Sequence, residues 1–105
     1  MTPLQKDFKD SFTKNLPDLE LFTAAITRAH GKRHTEVFDV RELFLSLKEK
    51  IKKSPHDTIA LEEDFKQLRT ITNHYEVPSD GCETFAATYQ LLSQLDDMYQ
   101  QTLSS

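Results

Sequence analysis

The chain has 105 residues, a net charge of -4, two glycines, four prolines, one cysteine and no tryptophan. That length sets one domain, residues 1–105. The lone Cys82 excludes an intramolecular disulfide and a Cys-based zinc site, and the acidic balance argues against a dedicated nucleic-acid binder, which would show a basic face. Few backbone breakers with abundant Leu, Phe, Lys, Glu, Gln and Asp predict an all-α protein. There is no apolar run near the roughly 18 residues of a membrane span and no charged-then-apolar leader, so the expectation is a soluble, cytoplasmic protein with no membrane contact.

The first predicted helix runs from about Pro3 to His30. Phe8, Phe12, Leu16, Leu19, Phe22, Ile26 and Ala29 recur at intervals of three and four, which places them on one stripe. Pro17 falls inside it and predicts either a kink or the start of a second piece. Gly31 is the expected stop. A second helix is expected after Thr35 as N-cap, with Val37, Val40, Phe44, Leu47 and Ile51 as its stripe. Its basic end, Lys48–Lys53, suits a helix C-terminus, where cations complement the macrodipole. A third is expected to open on Ser54, Pro55 and Asp57 and to bury Leu61, Phe65, Leu68, Ile71 and Tyr75. The fourth follows Pro78, with Asp80 as N-cap and Glu83 three residues on, and its stripe is Phe85, Tyr89, Leu92, Leu95, Tyr99 and Leu103.

Four amphipathic helices with short connections predict an up-down-up-down four-helix bundle. The rival is a coiled-coil dimer, since the stripes repeat near 3.5 residues; the Pro and Gly stops argue against one long helix. Glu62-Glu63-Asp64 and Asp96-Asp97 read as solvated faces beside the stripes. His74 reads as a cap or surface residue.

Leu68-Arg69-Thr70-Ile71-Thr72-Asn73, Val77-Pro78 and Cys82-Glu83-Thr84-Phe85 with Tyr89 together resemble the last two helices of the Ric family, hemerythrin-like di-iron proteins linked to repair of iron–sulfur clusters. Phe8 through Leu19, including Leu16-Pro17, and Ala29 through His34 are similar to the family's upstream stretches, so the resemblance covers most of the chain. It implies a hemerythrin-like bundle, iron as the cofactor, a protein partner in iron–sulfur cluster maintenance, and work under oxidative or nitrosative stress. The ligand positions depart from the family's. His30 is retained near the end of helix one, whereas Lys9 stands at the earlier His. The His-x-x-x-Glu segment of helix two has no counterpart before Ser54. Thr58, with His56 nearby, stands at the His opening helix three, and Gln101 stands at the His of helix four.

The spacings agree with those departures. No His is followed at the fourth residue by a carboxylate, the i, i+4 pairing that shares one helical face. The candidate metal ligands are therefore His30, His34 and His56, with Gly31 separating the first two from a common face. Cys82, in the first turn of the last helix, is the redox candidate, since a helix N-terminus favours a thiolate. No catalytic set is apparent. Three functions stay open. One is a Ric-like protein with a degenerate iron site. Another is a metal-free interaction module that binds a partner or dimerises. The last is a thiol-based stress sensor through Cys82.

Overall fold

In a computed structural model, residues 3–53 and 61–104 are described. Four helices account for most of them: α1, Pro3–His30; α2, Glu36–Lys53; α3, Glu62–Ile71; and α4, Glu83–Ser104. They form an all-α, up-down-up-down four-helix bundle. α1 packs along α4 and α2, and α2 packs along α3. Cross-helix pairs set the antiparallel directions. Phe8 near the start of α1 meets Tyr99 near the end of α4 at 5.6 Å between ring centroids. Asp64 at the start of α3 accepts a 2.9 Å hydrogen bond from Ser46, late in α2.

The apolar stripes meet in one core of Phe8, Phe12, Leu19, Ile26, Val37, Val40, Phe44, Leu47, Leu61, Phe65, Leu68, Phe85, Tyr89, Leu92, Leu95 and Tyr99. Aromatic rings tie all four helices into it. Phe65 stacks on Tyr99 at 5.0 Å, Phe8 meets Phe65 edge-on at 6.0 Å, and Phe12 meets Phe44 at 6.1 Å. Burying each such ring contributes on the order of 2–3 kcal/mol relative to exposure. Pro17 does not divide α1: the helix is continuous through it, and the proline lies on the exposed face. There only one helical hydrogen bond is lost, and the carbonyl four residues earlier has solvent within reach.

Several expectations need correction. Leu103 is exposed and Thr102 is the buried residue of the last turn, its hydroxyl donating to the Tyr99 carbonyl. Ala29 is also exposed. The carboxylates Asp64 and Asp96 are not solvated: both are buried. Asp64 pairs with Lys50 at 3.0 Å. Asp96 accepts from Arg69 Nη1 on both oxygens, at 2.7 and 2.9 Å, from the Tyr75 hydroxyl at 2.8 Å and from Gln100 at 3.1 Å. Asp80 does not cap α4. The helix begins at Glu83, and the Cys82 carbonyl accepts the Ala86 N–H at 3.0 Å, so Cys82 holds the cap position. The expected α3 start at Ser54, Pro55 and Asp57 lies outside the described residues, as do His56 and Thr58. Within them α3 opens at Glu62, with Leu61 before it and no side-chain cap.

Candidate functional site: a histidine, thiol and carboxylate cluster at one end of the bundle

The α1–α2 and α3–α4 connections lie at the same end of the bundle, and each is shaped by a local constraint. After His30 the chain leaves α1 through Gly31. A Cβ there would sit 2.5 Å from the Thr27 carbonyl oxygen and 2.7 Å from the Phe38 ring, so the turn needs glycine for space. The Gly31 N–H still donates to Thr27 O at 3.1 Å, and the His34 N–H donates to His30 O at 2.7 Å. The tight turn thereby keeps His30 and His34 on one side, with ring centroids 6.4 Å apart.

The other connection is a turn held in an unusual backbone conformation. Asn73, His74 and Tyr75 have φ of 52°, 60° and 65°. For residues with a Cβ this left-handed region costs roughly 1–2 kcal/mol each, less for Asn. The turn is held by the Thr72 hydroxyl, which accepts the Tyr75 N–H at 2.8 Å, and by the Tyr75 side chain reaching Asp96. Burial first, and then the neighbouring Asp96 charge, pushes the Tyr75 hydroxyl well above the ordinary tyrosine range, so it stays a donor.

These two connections bring five polar groups together, His30, His34, Glu36, Asp80 and Cys82. His34 Nδ1 lies 3.0 Å from Glu36 Oε1, and His34 Nε2 lies 2.9 Å from Asp80 Oδ1. With a carboxylate at each ring nitrogen, the imidazole is arranged to carry both protons. The hydrogen bond to Asp80 raises the His34 pKa, with partial desolvation opposing and Glu36 adding to the rise. The same bond lowers that of Asp80. His30 Nε2 lies 3.3 Å from Cys82 Sγ. Phe85, in the first turn of α4, supports both imidazoles edge-on, at 5.1 Å from His30 and 5.7 Å from His34. Cys82 is exposed. Beside the cluster lies a hollow of about 270 Å³ lined by His34, Glu36, Asn73, Glu76, Pro78 and Tyr89 among others. Burial, then the Glu36 charge, pushes the Tyr89 hydroxyl up to about 12.

The sequence candidates are therefore divided. His30 and Cys82 are brought into contact. His34 is near them but committed to Asp80 and Glu36. His56 lies outside the described residues, and His74 is an exposed turn residue. Glu36 and Asp80 were not among the candidate site residues. The single available signal was their place beside the two connections that an up-down bundle brings to one end.

The described residues do not fit the di-iron centre that the resemblance implies. Among them no group of three or more His, Cys, Asp and Glu is placed to hold a metal ion. Lys9 carries an ammonium at the helix-one His position, and its Nζ is buried without a hydrogen-bond partner. Gln101, at the helix-four His position, is exposed rather than turned into the bundle. Four ligating helices need convergent, deprotonated N and O donors; here a cation and an outward amide occupy two of the places. No helix among the described residues is long and apolar enough to cross a membrane. In comparisons with known proteins the chain matches no family model, no curated protein and no solved structure.

Proposed function

We propose that the chain is a thiol-based stress protein, working in the setting that the Ric resemblance implies: repair of iron–sulfur clusters or iron handling under oxidative or nitrosative conditions. The observation that carries the chemistry is the His30 Nε2 to Cys82 Sγ contact of 3.3 Å at an exposed position. A thiol reacts through its thiolate, and a ring nitrogen in hydrogen-bond reach can take the proton. His30 serves that role in the tautomer with its proton on Nδ1. The open N-terminus of α4 adds a partial positive charge beside the sulfur.

With a hydroperoxide the step balances as follows. His30 accepts the thiol proton, and a sulfur lone pair attacks the terminal peroxide oxygen. The O–O bond breaks, and the leaving oxygen takes the proton back. Cys82 becomes a sulfenic acid and the peroxide becomes an alcohol or water. Phe85 fixes the plane of His30, and the His34–Asp80 pair fixes the loop that leads into Cys82. A protein partner in cluster maintenance belongs to the same proposal: its thiol attacks the Cys82 sulfenic acid, forming a mixed disulfide and releasing water.

The test is the alkylation rate of Cys82 by iodoacetamide and its oxidation by hydrogen peroxide, followed by intact mass. Cys82→Ser should take up neither label. His30→Gln should slow both reactions about tenfold or more, the scale of a lost general base. Equal rates in His30→Gln and the parent protein would refute the assigned role of His30. Two irons per chain after purification from iron-replete cells would overturn the thiol reading in favour of a metal centre.

A further inference from the structure

A second surface lies on the other flank of α1, away from the thiol. Three of the largest exposed apolar side chains face outward there: Leu21 is 62 % exposed, Phe38 48 % and Leu45 38 %. Leu21, Ala24 and Arg28 recur at three and four residues along α1, and Phe38, Arg41 and Leu45 do so along α2. Each row therefore follows one helical face, and the packed, antiparallel helices set the rows side by side. Between them is an open hollow of about 350 Å³ lined by Ala24, Thr27, Arg28 and Arg41. Arg41 Nη1 is out of solvent with no hydrogen-bond partner. Among the described residues no side-chain ion pair or hydrogen bond engages either arginine.

A buried guanidinium donor without an acceptor is costly, and an oxygen anion entering from outside would repair the deficit. Two arginines around one hollow favour a carboxylate, which the planar fork holds through paired hydrogen bonds. The apolar side chains on either side of the hollow favour hydrophobic neighbours on the same ligand. Arg and aromatic residues are enriched at the centres of protein-binding surfaces. The whole chain is acidic, at -4, so this local basic–apolar face would be selective for its occupant rather than a general anion trap.

We infer that the α1–α2 face is a docking surface for an acidic, apolar helix of another protein: a Glu or Asp carboxylate seats between Arg28 and Arg41, and flanking aliphatic side chains cover Leu21, Phe38 and Leu45. This inference does not depend on the thiol chemistry, since neither Cys82 nor His30 contributes to the face.

The probe is a fluorescein-labelled, amphipathic helical peptide with Leu at i, i+3 and i+7 and one Glu between them, titrated with the full chain and read by anisotropy. Saturable binding is expected. It should weaken about tenfold in Arg41→Gln, in Arg28→Gln and with a Glu→Gln peptide, as for loss of one partner of a charge pair. Leu21→Ser should weaken it independently of charge. Unchanged melting temperatures would show that the variants remain folded. The Cys82 alkylation rate should be unaltered in all of them, which separates this surface from the thiol reading. No saturable binding at millimolar peptide overturns the proposal, as does binding equal in the parent and both Arg variants. Concentration-dependent dimers that Leu21→Ser dissolves would assign the face to a second copy of the chain and overturn it as well.

Discussion

Replacing Asp96 with Ala is the most demanding test of how α3, the following turn and α4 hold together. The carboxylate is 3 % exposed and receives Arg69, Tyr75 and Gln100. Removing it leaves the Arg69 charge and the Tyr75 hydroxyl without their acceptor. Breaking a fully buried ion pair from one side costs about 3–5 kcal/mol. The Arg69 side chain is 27 % exposed and can regain some water, so the lower end, about 3 kcal/mol, applies here. A domain of this size has a total stability of the order of 5–10 kcal/mol, so roughly a third to three-fifths of it is at stake. With a urea slope near 1.5 kcal/mol per molar, the midpoint should fall by about 2 M in denaturation followed by circular dichroism at 222 nm. Tyr75→Phe alone should cost about 1 kcal/mol, one net hydrogen bond. In the Asp96→Ala background the same change should cost almost nothing, because its acceptor is already gone. A midpoint shift under about 0.5 M for Asp96→Ala would refute the network as the anchor of the turn.

The remaining predictions concern charge. His34 has a raised pKa, so its pairing stabilises fully below its ordinary value of 6.5 and is lost as pH rises through the higher folded value. Asp80 has a lowered one, so its share is present above 3.8 and is lost as pH falls through the lower folded value. The melting temperature of His34→Gln should therefore differ most from that of the parent between about pH 4 and 6.5, and the difference should shrink toward pH 9. Asp80 is 45 % exposed, so solvent and salt should also shrink the difference; a pH-independent offset would count against the pairing. Burial lowers the Lys9 pKa, so its charged form costs stability, and the cost eases as pH rises. Lys9→Met keeps the aliphatic stem and removes the unpartnered ammonium; at pH 7 it should stabilise by about 1 kcal/mol, raising the melting temperature by about 4–8 °C. A lower melting temperature would show that the ammonium has a partner.

The helices were legible because their residues repeat at helical spacing. Phe8, Phe12, Leu19 and Ile26 on α1, and Val37, Val40, Phe44 and Leu47 on α2, are buried as their intervals require. Periodicity becomes less informative at helix ends, where the last turn no longer has a neighbour to face. Thr102 is buried and Leu103 exposed for that reason, and Tyr75 enters the core only because the chain reverses through a left-handed turn. The cap at α4 was misplaced by two residues. Asp80 is a good capping residue type, but its carboxylate is taken by His34 from another loop, a competitor invisible along the chain.

By itself, then, the sequence determined the four amphipathic segments, the alternation of their directions, the glycine stop after α1 and the place of a lone cysteine near the start of the last helix. Those depend on local spacing and on residues a few positions apart. Tertiary structure alone decided the chemistry. It placed His30 against Cys82, 52 positions apart in the chain, and His34 between Glu36 and Asp80. It also drew Asp96 inward to Arg69, and set Arg28 and Arg41 around one hollow. A side-chain pair between distant segments depends on the rotation and axial offset of packed helices. Hydrophobic spacing constrains the rotation, but the offset follows from how the turns and the core fit together.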